Sequence, residues 1–146
     1  MEQVPSSFEA ARKRRQALAD ALAHLEDALA SPSMASAWRQ DVGEALTEVR
    51  EAFADHIREV EGPHGLLVDI REDAPRLSIT VEELVKDHVA IAHTIYDLVD
   101  SLTSAPPEEI RTRALEVMRE LVIHRQRGSD LVWEAYATDI GGQDGS

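Results

Sequence analysis

Three histidines, His56, His88 and His124, stand on the apolar seams of three different helical repeats. The seams read Val49, Phe53, His56, Val60; then Leu84, His88, Ile91, Ile95; then Val117, Leu121, His124, Gly128 and Leu131. At each of the three steps the repeat asks for Leu or Val, and imidazole is a rare choice where packing alone decides. A helix turns ~100° per residue, which puts each ring within ~40° of the centre of its apolar stripe. Three imidazoles directed into one interior can hold a single iron or another divalent ion and leave a position open. Without metal, the same rings are core imidazoles bonded to carbonyls or water, or the wall of a small polar pocket. Both readings stand at this level.

The other histidines fail the same angular test. His24 lies on an Ala-lined flank, His93 faces away from its stripe, and His64 belongs to a Gly-Pro-His-Gly turn. A fourth residue passes it. The first helical repeat reads Phe8, Ala11, Arg15, Leu18, Leu22, Leu25, Leu29, so Arg15 sits on a seam. Facing three histidines, with Gly128 leaving room beside them, its guanidinium could accept an anion or an acidic small ligand. Snorkelling outward, as the rest of the run Arg12-Lys13-Arg14-Arg15 does on a solvated face, is the alternative.

The elements that must position these residues are four long helices. The first runs to about Ala30 behind a capping box of Ser6 and Glu9, and Ser31-Pro32-Ser33 breaks it. The second carries Trp38 to Val60 inward and ends at Gly62-Pro63. A connection from His64 to Ile79 holds one short helix over Leu66 to Asp73. Thr80 and Glu83 form a second capping box for the third helix, and Ser104 through Pro107 separates it from the fourth. Glu108 and Glu109 after two prolines mark that last helix start through the dipole. Trp38 and Trp133 read as packing residues. The expectation is an all-α, antiparallel up-down four-helix bundle, one domain over residues 1–146 with its core at about 7–138 and a polar tail at 139–146.

Composition agrees with that class and excludes others. A chain of 146 residues with 43% hydrophobic and 29% charged residues is an ordinary single domain with room for a core. The absence of cysteine removes disulfides, thiolate metal sites and cysteine nucleophiles. A formal charge of −13 argues against nucleic acid. No apolar run approaches ~18 residues and no signal-peptide core opens the chain, so a cytoplasmic protein without membrane contact is expected. No serine stands in a nucleophile elbow and no glycine loop could cradle phosphate, so no catalytic residue is assigned. The partners expected are a metal ion or a small ligand; no protein partner can be named.

The order and spacing of these features resemble the hemerythrin-like, His-His-Glu cation-binding bundles, over about residues 7 to 142. The resemblance is carried by Asp55-His56-Ile57-Arg58-Glu59-Val60-Glu61, by Lys86-Asp87-His88-Val89-Ala90-Ile91 and by Val122-Ile123-His124-Arg125-Gln126-Arg127, with Asp139-Ile140-Gly141-Gly142 similar to the ending of divergent bacterial members. It implies inward metal ligands at His56, His88 and His124. It also implies bridging carboxylates that this chain lacks. Val60 stands where a Glu is expected, Ala92 where many members have another ligand, Gly128 and Ser129 where an acidic bridge belongs, and Arg15 at the first helix's ligand position. Two ions ~3.5 Å apart would then repel with little compensation. The resemblance therefore implies a divergent binding or sensing protein with a degenerate di-iron site and weak or absent metal. A functional iron protein handling oxygen or peroxide and a metal-free interaction scaffold are the alternatives. An oxygen-handling centre would require Glu59, Glu61 or Asp87 to turn inward.

Overall fold

A computed structural model describes residues 6–138. The expected polar tail with Asp139-Ile140-Gly141-Gly142 lies outside the described residues, as do the side chains of Ser6, Phe8 and Ala11. The chain forms α1 (Ser6–Ala30), α2 (Trp38–Glu61), a short α3 (Leu66–Asp73), α4 (Ser78–Asp100) and α5 (Pro107–Val132). A 3₁₀ turn over Pro75–Leu77 leads into α4, and a π-helical stretch over Trp133–Thr138 follows α5. No strand occurs among the described residues. Helix α1 packs on α2, α2 on α4 and α4 on α5, an arrangement consistent with a helical bundle. No helix among the described residues is long and apolar enough to cross a membrane.

Local chemistry explains most boundaries. Helix α2 stops where Gly62 donates its N–H to the Arg58 carbonyl at 3.1 Å, one residue before Pro63. Glycine is required at position 65 because a Cβ there would collide with the carbonyl oxygens of Glu59 and Val60. The missing side chain lets α3 fold back over the end of α2. Helix α5 begins with Pro107 in its first turn and Glu108 and Glu109 beside it, as the dipole favours.

Two sequence expectations are corrected. Helix α4 starts at Ser78, and Thr80 lies exposed inside it without capping anything. The reason is the 3₁₀ turn: Pro75 fixes its backbone and the Ser78 hydroxyl donates to the Pro75 carbonyl at 2.8 Å, so the turn runs straight into the helix. Trp38 is buried as expected, but Trp133 is 68% exposed, because it sits where α5 gives way to the π-helical stretch and faces outward.

The apolar interior is divided. One core gathers Leu18, Leu25, Trp38, Leu46, Phe53, Ile95, Leu98, Ile110 and their neighbours. A second gathers Val60, Leu66, Leu67, Ile70, Leu77, Val81, Leu84 and Leu131 beneath the α2–α4 connection. In each of three helices a histidine falls between them: His56 between Phe53 and Val60, His88 between Leu84 and Ile91, His124 between Leu121 and Leu131. The histidines form a polar layer between two apolar bodies.

Candidate metal centre

The three expected histidines come together. His56 from α2, His88 from α4 and His124 from α5 each offer a ring nitrogen, and these nitrogens lie within 4.8 Å of one another. Among the described residues no other group of His, Asp or Glu has this arrangement. Ring centroids are 4.7 Å apart for His88 and His124, 5.3 Å for His56 and His88, and 5.8 Å for His56 and His124. Phe53 floors the cluster, its ring 5.9 Å from His56 and 5.8 Å from each of the others. All three imidazoles are buried, His88 most deeply at 2% exposure.

Carboxylates reach the cluster from outside it. Nδ1 of His88 is hydrogen-bonded to the carboxylate of Glu61. An ionised carboxylate only accepts, so Nδ1 donates; in the neutral ring that metal binding needs, Nε2 then keeps its lone pair for the interior. On α4, an Asp87 oxygen lies 3.8 Å from Nδ1 of His124, too far for a hydrogen bond, while Arg127 donates to it at 2.8 Å. Nδ1 of His56 and Nδ1 of His124 are buried with no hydrogen-bond partner. Unpaired buried nitrogens are uncommon in folded proteins and call for a water, an ion or a ligand.

The electrostatics favour the ligand form of the rings. Burial, reinforced by repulsion from His88, His124 and Arg15, drives the His56 pKa down to about 3. Burial and His88 lower that of His124 to about 4, with Asp87 pulling the other way. Both rings are therefore neutral at pH 7, as metal ligation requires. The donor set fits one ion of the kind imidazole prefers, zinc, iron, copper or nickel. Nitrogens on a tetrahedral ion are ~3.3 Å apart, given bonds of about 2.0 Å, so the rings must draw together from their present spacing. The set does not fit two ions, since no carboxylate joins it among the described residues.

Arg15 reaches the same place. Together with His56, His88, His124, Arg125, Gly128 and the leucines of α3, it lines a cavity of about 50 Å³. Its Nε is buried and has no partner among the described residues, although the side chain as a whole is only half-buried. Burial, with Arg125 and Arg12 adding to it, lowers its pKa. At Gly128 a Cβ would meet nothing within 4 Å, so the glycine leaves open space rather than admitting a neighbouring backbone.

The residues set aside in sequence lie away from the centre. His24 is exposed and pairs with Glu48 at 2.6 Å, His93 is exposed beside Asp97 at 3.4 Å, and His64 is exposed in its turn. Glu59 points toward Arg14, 3.7 Å away, on the outer face. Sequence reasoning undervalued Glu61. Its Cα lies well off the α2 seam, but as the last residue of that helix it can extend to the neighbouring α4. Its position five residues after His56 is the signal that could have found it. A scan against protein-family models, a search of curated proteins and a search of solved structures each returned no match.

Proposed function

We propose that this protein is a divergent hemerythrin-like binding or sensing module, an antiparallel up-down bundle whose two-iron centre is reduced to a single three-histidine site. The observation that carries the reading is the convergence of His56, His88 and His124 from three helices, each offering a nitrogen within 4.8 Å of the others. The Glu61 carboxylate on the outer nitrogen of His88 supports it, since metal-bound histidines ordinarily donate their second N–H to such a group. The lack of a bridging carboxylate and the nearby Arg15 cation count against a second ion and favour weak binding of the first.

A bound ion would be held by His56, His88 and His124 and would supply Lewis acidity at its open position. The chain's own contribution is clearer. Glu61 fixes the tautomer of His88, Phe53 closes the layer from one side, and α3 covers it from the other. These features suit reversible occupancy read out through helix packing, because the three ligands belong to three helices.

Elemental analysis of untagged protein equilibrated by dialysis against excess iron or zinc, which keeps a weakly held ion in place, tests the reading. The expected result is about one ion per chain, lost in His56→Leu. Two irons per chain would overturn the single-site assignment, and no metal under saturating supply would overturn metal binding itself.

A further inference from the structure

We propose that the cavity beside the histidine layer is a binding site for a short-chain monocarboxylate, with the carboxylate on Arg15 and its alkyl end among the leucines of α3. The inference goes beyond the metal reading and does not need a metal. Three of the residues lining this cavity each carry a buried nitrogen with no hydrogen-bond partner among the described residues: Nε of Arg15, Nδ1 of His56 and Nδ1 of His124. A guanidinium Nε–H can only donate, so what it lacks is an acceptor. Each neutral imidazole carries one N–H, so its unpaired Nδ1 can also donate to such an acceptor, while the demand for one is set by Arg15.

Charge points the same way. The protein carries −13 overall, yet Arg15 and Arg125 face one cavity mouth with no carboxylate paired to either among the described residues. Arg12 stands with them around the adjoining surface depression, already paired to Glu9 at 2.7 Å. Elsewhere Arg14, Arg58, Arg113 and Arg127 each have an acidic partner. An anion placed at Arg15 meets permanent positive charge and a half-buried, charge-assisted donor, the strong kind of hydrogen bond.

Size and lining select among anions. Room for one water takes ~10–15 Å³, so about 50 Å³ admits roughly three to five heavy atoms, which covers acetate and, at its upper end, propionate. The rest of the wall is apolar, with Leu18, Val60, Leu66, Leu67, Ile70 and Leu131 among its side chains. Those side chains offer nothing to chloride or nitrate and an apolar surface to a methyl or ethyl group. Gly128 leaves the mouth clear.

The test is a titration of chelator-treated, metal-free protein with sodium propionate, acetate, nitrate and chloride at constant ionic strength. The readout is the Arg15 Nε–H resonance in ¹H–¹⁵N spectra. Saturable shifts are expected for propionate and acetate, with propionate tighter than nitrate by about ten-fold or more from its apolar end. Arg15→Gln should weaken propionate at least about ten-fold, and Arg15→Lys should recover part of that, while circular dichroism confirms that both variants are folded. Nitrate or chloride matching propionate would overturn the carboxylate assignment. Unchanged propionate binding in folded Arg15→Gln would overturn the role of Arg15, and no saturable shift would overturn the site. Because no metal is present, these failures are distinct from failure of the three-histidine centre, which elemental analysis reads separately.

Discussion

Around Trp38 the arginines are satisfied by the fold. Arg39 donates to the carbonyls of Leu102 and Ala105 at 2.7 and 2.9 Å, stitching α2 to the turn before α5. Arg111 donates to the Leu29 carbonyl and lies over the Trp38 ring, 5.2 Å from its centroid. Around Ile70, at the other side of the histidine layer, Arg15 leaves its buried Nε unpaired beside a cavity. Both regions use leucine, valine and isoleucine for their walls. They differ in what their cations find. Where cations meet carbonyls, the arginines are satisfied and the region serves stability, although the buried Nε1 of Trp38 has no partner among the described residues. Where a cation and two imidazole nitrogens meet nothing, the network awaits something from outside.

The largest effect should come from the side whose arginines are paired. Trp38→Ala removes a fully buried indole and should cost about 3–5 kcal/mol in denaturant unfolding, while metal stoichiometry in the surviving folded protein stays unchanged. A loss under about 1 kcal/mol would erase the distinction between the two regions.

Acid should act on the other side. The folded pKa values of His56 and His124, about 3 and about 4, lie below the ordinary imidazole value of 6.5. A proton therefore prefers the unfolded chain. The stability these neutral rings contribute is whole above pH 6.5 and falls as the pH drops toward 4. At pH 5 the loss for metal-free protein is about 2 kcal/mol from His56 alone, 1.5 pH units below 6.5 at about 1.4 kcal/mol each. His124, whose folded value also lies below pH 5, adds a comparable loss there, and its contribution levels off sooner as the pH falls toward 4. Acid also acts on the rest of this acidic chain, so the comparison is with a variant carrying Leu at positions 56, 88 and 124. Equal acid sensitivity in the two proteins would show that the histidine layer is not the cause.

How much of this could be read from the chain follows the same division. The seams of α2, α4 and α5 were legible, including all three histidines, because helical periodicity makes an inward residue visible without any knowledge of its neighbours. The short α3 was legible from the glycine and proline that bound it. The start of α4 was not, since Thr80 and Glu83 imitate a cap and the competing 3₁₀ turn depends on how Pro75 closes onto Ser78. Arg15 was visible as a seam residue, but its orphaned Nε and the partner of His88 were not. Both depend on contacts between helices, and periodicity within one helix carries no information about which neighbour a long side chain reaches.

Glu61 supplies the next prediction in size. Glu61→Gln keeps the shape of the side chain and removes the charge that orients His88. Metal affinity should fall about 10–100-fold, measured by competition with a chromophoric chelator, while thermal stability of the metal-free protein barely moves. Unchanged affinity would move Glu61 from the metal centre to the ordinary surface, and with it the strongest polar contact on the unsatisfied side.

The smallest effect concerns Gly128, and its sign is the informative part. A glycine inside a helix costs about 0.5–1 kcal/mol relative to alanine through backbone entropy. At most buried helix contacts that cost is offset because a neighbouring backbone needs the space. Here a Cβ meets nothing within 4 Å, so Gly128→Ala should stabilise the protein by about 0.5–1 kcal/mol in chemical denaturation. A destabilised alanine variant would mean that the space beside the three histidines is closed in solution, making the region around Ile70 resemble the region around Trp38. A stabilised one leaves the glycine without a structural reason, and the remaining reason is the room it leaves at the cavity shared by Arg15 and the histidines.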